Sequence, residues 1–171
     1  MRLRLSITFL FFCSSSISLA QSCVETILPT TKFATYKASD NGIVMNQKIM
    51  WIRCTVGQTW HKGKCNGKAV LKSWDEAMDL AKNSTLHSHN DWRLPTVHEL
   101  SELTELSCQN PAINVKLFPD TPSLSFWTST EFINDKNNAW QVFFGSGENH
   151  TAKKSTAAAI RLVRTIGIDK N

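Results

Sequence analysis

The sequence predicts an α+β fold in which two helices pack on short antiparallel strands and disulfides staple the whole. Three observations carry that expectation. Helix-start boxes stand at Ser73-Trp74-Asp75-Glu76 and Thr96-Val97-His98-Glu99, each followed by apolar residues at helical spacing. Short apolar runs separated by turn residues lie on both sides of these helices. The cysteines that remain after an export signal, Cys23, Cys54, Cys65 and Cys108, are even in number.

The first of the 171 residues read as an address. Arg2 and Arg4 form a basic start, Leu5 to Cys13 an apolar stretch, and Ser18 and Ala20 place small residues before a cleavage point at Gln21. The stretch is shorter than the ~20 apolar residues that cross a bilayer. Residues 1–20 are therefore read as a signal peptide and residues 21–171 as a single exported domain. That domain is periplasmic, cell-surface or secreted, with no transmembrane anchor once the signal is removed.

Four cysteines allow three pairings. The favoured one is Cys54–Cys65, which closes a short basic loop, with Cys23–Cys108, which ties the N-terminal arm to the middle of the chain. On loop entropy alone these are worth about 3 and about 4–5 kcal/mol. Zinc is the weaker use of these cysteines, because no Cys-x-x-Cys pair occurs.

Along the chain, residues 33–37 and Ile43–Met45 read as strands joined by Asp40-Asn41-Gly42, a strong hairpin signal. Ile49–Ile52 continues as a buried strand. In the first helix Trp74, Ala77, Met78 and Ala81 face inward, and in the second Val97, Leu100, Leu103 and Leu106 do so. After Pro122 the pattern turns to strands at residues 126–129, 139–144 and 157–164, with Gly145-Ser146-Gly147 as the turn joining the last two. Trp51, Trp74, Trp127 and Trp140 fall on core faces.

Charge is uneven. Residues 21–72 carry a net +6, residues 73–108 a net −5 and residues 109–171 a net +2. The excess concentrates at Lys62, Lys64, Lys68 and Lys72, near Trp60, with Lys153 and Lys154 as late additions. These seven residues are the candidate ligand-binding set. Clustered lysines attract sulfated or acidic glycans, and a tryptophan beside them can stack on sugar, although a packed loop anchor is the plainer role for Trp60. Nucleic acid is not expected, because no arginine-rich helix is present.

The ordered series Met50-Trp51-Ile52-Arg53-Cys54, Gly57-Gln58-Thr59-Trp60, Cys65-Asn66-Gly67, Asp91-Trp92-Arg93-Leu94-Pro95-Thr96, Asn110-Pro111-Ala112-Ile113-Asn114, Phe126-Trp127 and Arg161-Leu162-Val163-Arg164 resembles the C-terminal domain family of the Legionella collagen-like adhesin. The likeness spans about residues 33–164. It implies a C-type-lectin-like fold, an envelope or secreted setting, and an association with trimer formation and sulfated glycosaminoglycan binding, so a homotrimer enters as an expectation. No collagen-like repeat precedes the domain here, and Gln47-Lys48-Ile49 replaces the family's Thr-Gly turn. Asp91, Trp92, Arg93, Leu94 and Pro95 are read as architecture: Pro95 presets a helix entrance, Trp92 and Leu94 bury apolar area, and Arg93 pairs with an acid such as Glu99.

No enzyme, metal site or cofactor is expected. Cys108 is the last cysteine, so the late pair that formylglycine-generating enzymes of similar fold use for copper is missing. Glu-Pro-Asn and Gln-Pro-Asp calcium loops are absent. His98-Glu99 lacks the second histidine of a zinc-protease helix, because position 102 is Glu. His87 and His89 with Asp91 are read as a solvated loop rather than a metal site. Two functions follow: an adhesin-like module that binds glycans or other polyanions, or a structural or protein-interaction subunit whose partner is an envelope protein or a pilus-type assembly.

Overall fold

The computed structural model of the protein describes residues 21–24 and 33–167. The proposed signal peptide lies outside the described residues. With strands and helices numbered in chain order, the Asp40-Asn41-Gly42 turn joins β2 (Lys37–Ala38) to β3 (Ile43–Met45), and β3 pairs onward with β4 (Ile49–Ile52). Gly42 supplies the positive φ of 86° that this turn requires. The expected strand at residues 33–37 is shorter than its apolar content suggested: Phe33 lies in a helical turn and is buried in the core, and the strand begins only at Lys37. A late strand, β11 (Val163–Thr165), pairs with β4 and completes a sheet of order β11-β4-β3-β2.

Both capped helices form. In α1 (Trp74–Lys82) the Glu76 carboxylate accepts from the Ser73 N–H at 3.0 Å and from its hydroxyl at 2.7 Å. In α2 (Val97–Ser101) the Thr96 hydroxyl accepts from the Glu99 N–H at 3.2 Å and Glu99 accepts from the Thr96 N–H at 2.8 Å. The second helix stops early. Its chain turns away after Ser101, so the i, i+3 series breaks and Leu106, expected inside, is 72% exposed.

The second sheet, of order β10-β9-β8, contains β8 (Ser125–Glu131), β9 (Asn138–Phe143) and β10 (Glu148–Lys153). The partner of β9 across the glycine turn is thus the polar β10, not residues 157–164. Of these, residues 158–162 run as an extended, buried stitch between the sheets, and Val163 and Arg164 belong to β11. Ala159 exchanges bonds with β8, where Trp127 N–H donates to its carbonyl at 3.0 Å and its own N–H donates to Ser125 O at 2.9 Å. Leu162 O accepts from Ile52 N–H at 3.1 Å, and Ile160 O from Val56 N–H at 2.9 Å.

Strand alternation then divides the core in two. Val44, Trp51, Phe126, Val142 and Phe144 meet Leu100 and Leu103 on one side. Ile43, Ile52, Trp127 and Ala139 meet Ala77, Ala81, Trp92 and Leu94 on the other. Trp51 and Trp127 are buried as expected, whereas Trp74 and Trp140 are only half-buried. Trp140 lies on a strand next to the open edge of its sheet, where Phe132 covers it edge-on at 5.9 Å.

Two disulfides close the structure, Cys23–Cys108 and Cys54–Cys65, which is the favoured pairing. The first ties β1 (Ser22–Cys23) to β7 (Cys108–Gln109), a two-stranded ladder. Among the described residues no helix is long and apolar enough to cross a membrane.

Candidate functional site

The Cys54–Cys65 loop is a hairpin of β5 (Thr59–His61) and β6 (Lys64–Asn66). Its two turn residues, Lys62 and Gly63, both have positive φ, 47° and 84°. That backbone matches the twist of a tight hairpin and sets Lys62 at the tip. Lys64 follows on β6 and Lys68 lies just beyond it, and all three side chains are exposed. None of the three makes an ion pair among the described residues, which is the condition for meeting an external anion.

The base of the hairpin is fixed from three sides. Trp60 donates from Nε1 to the Asp40 carbonyl at 2.6 Å, and the Arg53 guanidinium lies 4.3 Å above its ring. A Cβ on Gly42 would come within 2.8 Å of Trp60 Cγ, so the hairpin rests directly on the β2–β3 turn. The Asp120 carboxylate accepts from the Cys65 N–H at 2.8 Å, and Gln58 donates to the Asp120 carbonyl at 3.1 Å. Trp60 is therefore an anchor held beneath the lysines.

Two arginines hold the loop that supports this base. Arg53 donates to the carbonyls of Leu117 at 2.6 Å and Lys116 at 2.7 Å. Arg161 is fully buried and donates to the carbonyls of Ile52 at 3.1 Å and Arg53, and to Thr121 Oγ1 at 2.7 Å. Burial pushes the Arg161 pKa down to about 9, which leaves it charged at neutral pH, and burial also lowers that of Arg53. Neither has an ion-pair partner among the described residues. The hairpin thus stands on two further cations that inspection of the lysines alone overlooked. A readable signal existed for Arg161, a single charge inside the apolar run Ala158 to Val163.

The remaining candidate lysines lie elsewhere. Lys72 pairs with Glu76 at 3.1 Å. Lys154 pairs with Glu131 at 3.0 Å and sits 4.1 Å over the Trp74 ring. Trp74 N–H donates to the Lys154 carbonyl at 2.8 Å, so these two lysines share one neighbourhood near the start of α1. Their charges are already matched. Lys153, on β10, is exposed and makes no ion pair among the described residues.

The Asp91 to Pro95 segment is woven into the frame. Asp91 takes a two-pronged bond from Arg164 at 2.7 and 3.0 Å, which holds its carboxyl below the usual carboxylate range. Trp92 is buried and donates to the Leu86 carbonyl at 2.8 Å. Arg93 grips Glu99 through both terminal nitrogens at 2.8 and 2.7 Å. Leu94 is buried, and the Pro95 carbonyl accepts from Ser129 N–H at 2.7 Å. Asp91 and Glu99 are thereby committed to arginines. Among the described residues no group of three His, Cys, Asp or Glu side chains is arranged to hold a metal ion.

The site is thus a disulfide-closed, arginine-supported basic hairpin on an α+β frame. The family model for the Lcl C-terminal domain matches residues 45–164, from β3 to β11, and the chain belongs to that family. The Lcl C-terminal domain is associated with adhesins and is not a known enzyme family. A search of curated proteins finds no match.

Proposed function

We propose that the protein is an exported, non-catalytic adhesin-like module that binds sulfated or acidic glycans through the β5–β6 hairpin. The observation that carries this reading is the exposure of Lys62 and Lys64 on a hairpin whose base is held, with Lys68 just beyond it, none of them in an ion pair among the described residues. The held backbone keeps the three ammonium groups close together, and a cluster of one sign attracts a polyanion over a range of about 10 Å at 0.1 M salt. Lys72 and Lys154, matched by carboxylates, contribute less. Two disulfides and an adhesin-associated family fit an extracellular or envelope location. The family also supports a C-type-lectin-like fold for the chain.

Retention of the oxidised protein on immobilised heparin across a salt gradient tests the proposal. The native protein should elute above physiological salt, a Lys62/Lys64/Lys68→Glu variant should flow through, and a Lys72/Lys154→Ala variant should elute close to the native position. Flow-through of the native protein abandons this reading for the second one, a structural subunit that contacts an envelope protein. Exposed apolar side chains such as Ile133, at the β8–β9 turn, favour that alternative.

A further inference from the structure

Two Asn-Gly steps occur in the chain, Asn41-Gly42 and Asn66-Gly67. In such a step the glycine nitrogen reaches the asparagine Cγ readily, because no Cβ obstructs the approach and the glycine backbone turns freely. The structure treats the two steps differently. Asn41 Oδ1 accepts from the Ser39 hydroxyl, and the Gly42 carbonyl accepts from the Arg53 N–H at 2.9 Å. The Trp60 side chain also stands directly against Gly42, so this peptide is held by its carbonyl and by a ring. Asn66 and Gly67, by contrast, are both exposed where β6 ends. Neither the Asn66 side-chain amide nor the Gly67 N–H has a hydrogen-bond partner among the described residues. Gly67 has a φ of 104°, and only Gly57 and Gln58 lie within 4 Å of where a Cβ would stand on it. Turning the peptide between Asn66 and Gly67 opens only the last rung of the hairpin, Thr59↔Asn66, and leaves Trp60↔Cys65 and His61↔Lys64 paired. End rungs open at little cost.

We infer that Asn66 is a self-modifying site: its side-chain amide is converted to a carboxylate by its own backbone and water, and the basic hairpin loses charge with age. The Gly67 nitrogen attacks Asn66 Cγ and gives its proton to solvent. The new N–C bond closes a five-membered succinimide, and the bond from Cγ to Nδ2 breaks as ammonia leaves with a proton from solvent. Water then adds to one of the two ring carbonyls and breaks its bond to the ring nitrogen, which leaves aspartate or isoaspartate. The sum is amide plus water giving carboxylate plus ammonium, with no oxidant or reductant. Lys64 and Asn66 are two residues apart on one strand, so their side chains leave the same face at a spacing of about 7 Å. The new carboxylate therefore stands beside the Lys64 ammonium and offsets one of the three hairpin lysines. Isoaspartate also adds a backbone carbon ahead of Gly67. The resulting loss of affinity for a polyanion rests on the proposed function, while the conversion does not.

Peptide mapping by mass spectrometry of the oxidised protein, aged in warm and mildly alkaline buffer, tests the inference, with the reduced protein in urea as the unfolded reference. In urea both Asn-Gly steps should convert at similar rates. In the folded protein Asn66 should convert about tenfold faster than Asn41 and yield both aspartate and isoaspartate. An Asn66→Gln variant should keep its hairpin peptide unchanged, because the longer side chain would have to close a six-membered ring. An Asn66 that stays intact in the folded protein while it converts in urea, or an Asn41 that converts as fast as Asn66 in the folded protein, overturns the inference. None of these readouts depends on heparin. An Asn66→Asp variant should elute from heparin at lower salt than the native protein, and that result alone fails if the glycan reading is wrong.

Discussion

Replacing Arg161 by alanine is the sharpest perturbation of the frame beneath the hairpin. The side chain is fully buried, bonds three acceptors, and lies 4.8 and 5.7 Å from the ring centroids of Phe118 and Phe126. Truncation opens a cavity worth about 2–5 kcal/mol in comparable cores. It also removes bonds to a charged donor, at about 1.5–3 kcal/mol each. Against this stands relief from burying a cation with no carboxylate beside it, a cost of several kcal/mol. The balance is a loss of about 3–4 kcal/mol for Arg161→Ala. Methionine fills much of the volume while giving the same relief, so Arg161→Met should lose only about 1–2 kcal/mol. Urea unfolding of the oxidised protein, followed by tryptophan fluorescence, reads both; at about 2 kcal/mol per molar, the alanine midpoint falls by about 1.5–2 M. An alanine variant within about 0.5 kcal/mol of native, or a methionine variant less stable than alanine, would refute this account of Arg161.

Further outcomes follow from the same geometry. Hydrogen bonds from Ser73 hold the Glu76 pKa at about 2, so its folded value lies below the unfolded one; the stability it supplies is present above about 4.5 and is lost as pH falls toward 2. Ser73→Ala should move the Glu76 titration, read by NMR, up toward 4.5 and cost about 1 kcal/mol through loss of the cap. Gly42→Ala combines a positive φ with a 2.8 Å approach to Trp60, and should destabilise by about 1–3 kcal/mol in chemical denaturation while changing Trp60 fluorescence. Arg93→Lys should lose most of what Arg93→Ala loses, about 1 kcal/mol in thermal unfolding, because a single ammonium cannot reproduce the two-pronged grip on a partly exposed Glu99.

What was legible in the sequence was local. Ser73, Thr96 and Asn41-Gly42 act within a few residues of themselves, so their caps and turn could be read directly, and the small disulfide followed from a short spacing. What escaped depended on distant partners. β10 carries no apolar alternation, because it is an exposed edge, and so gave no periodic signal. Residues 157–162 are apolar enough for a strand but bond to two different sheets instead of one neighbour. Leu106 kept its helical spacing after the helix had ended. At the site, the lysines were visible as a cluster, but which are free depends on Glu76 and Glu131, one a helical turn from Lys72 and the other 23 residues from Lys154. Burial of Arg53 and Arg161 behind the hairpin is a tertiary fact.

The central claim is that the hairpin receives the anion, and amide chemical-shift mapping with a sulfated heparin oligosaccharide tests it most directly. The account predicts that the largest shifts fall on residues 59–68, saturate, and vanish at high salt. Shifts centred on Lys72 and Lys154, or on no region at all, would contradict it.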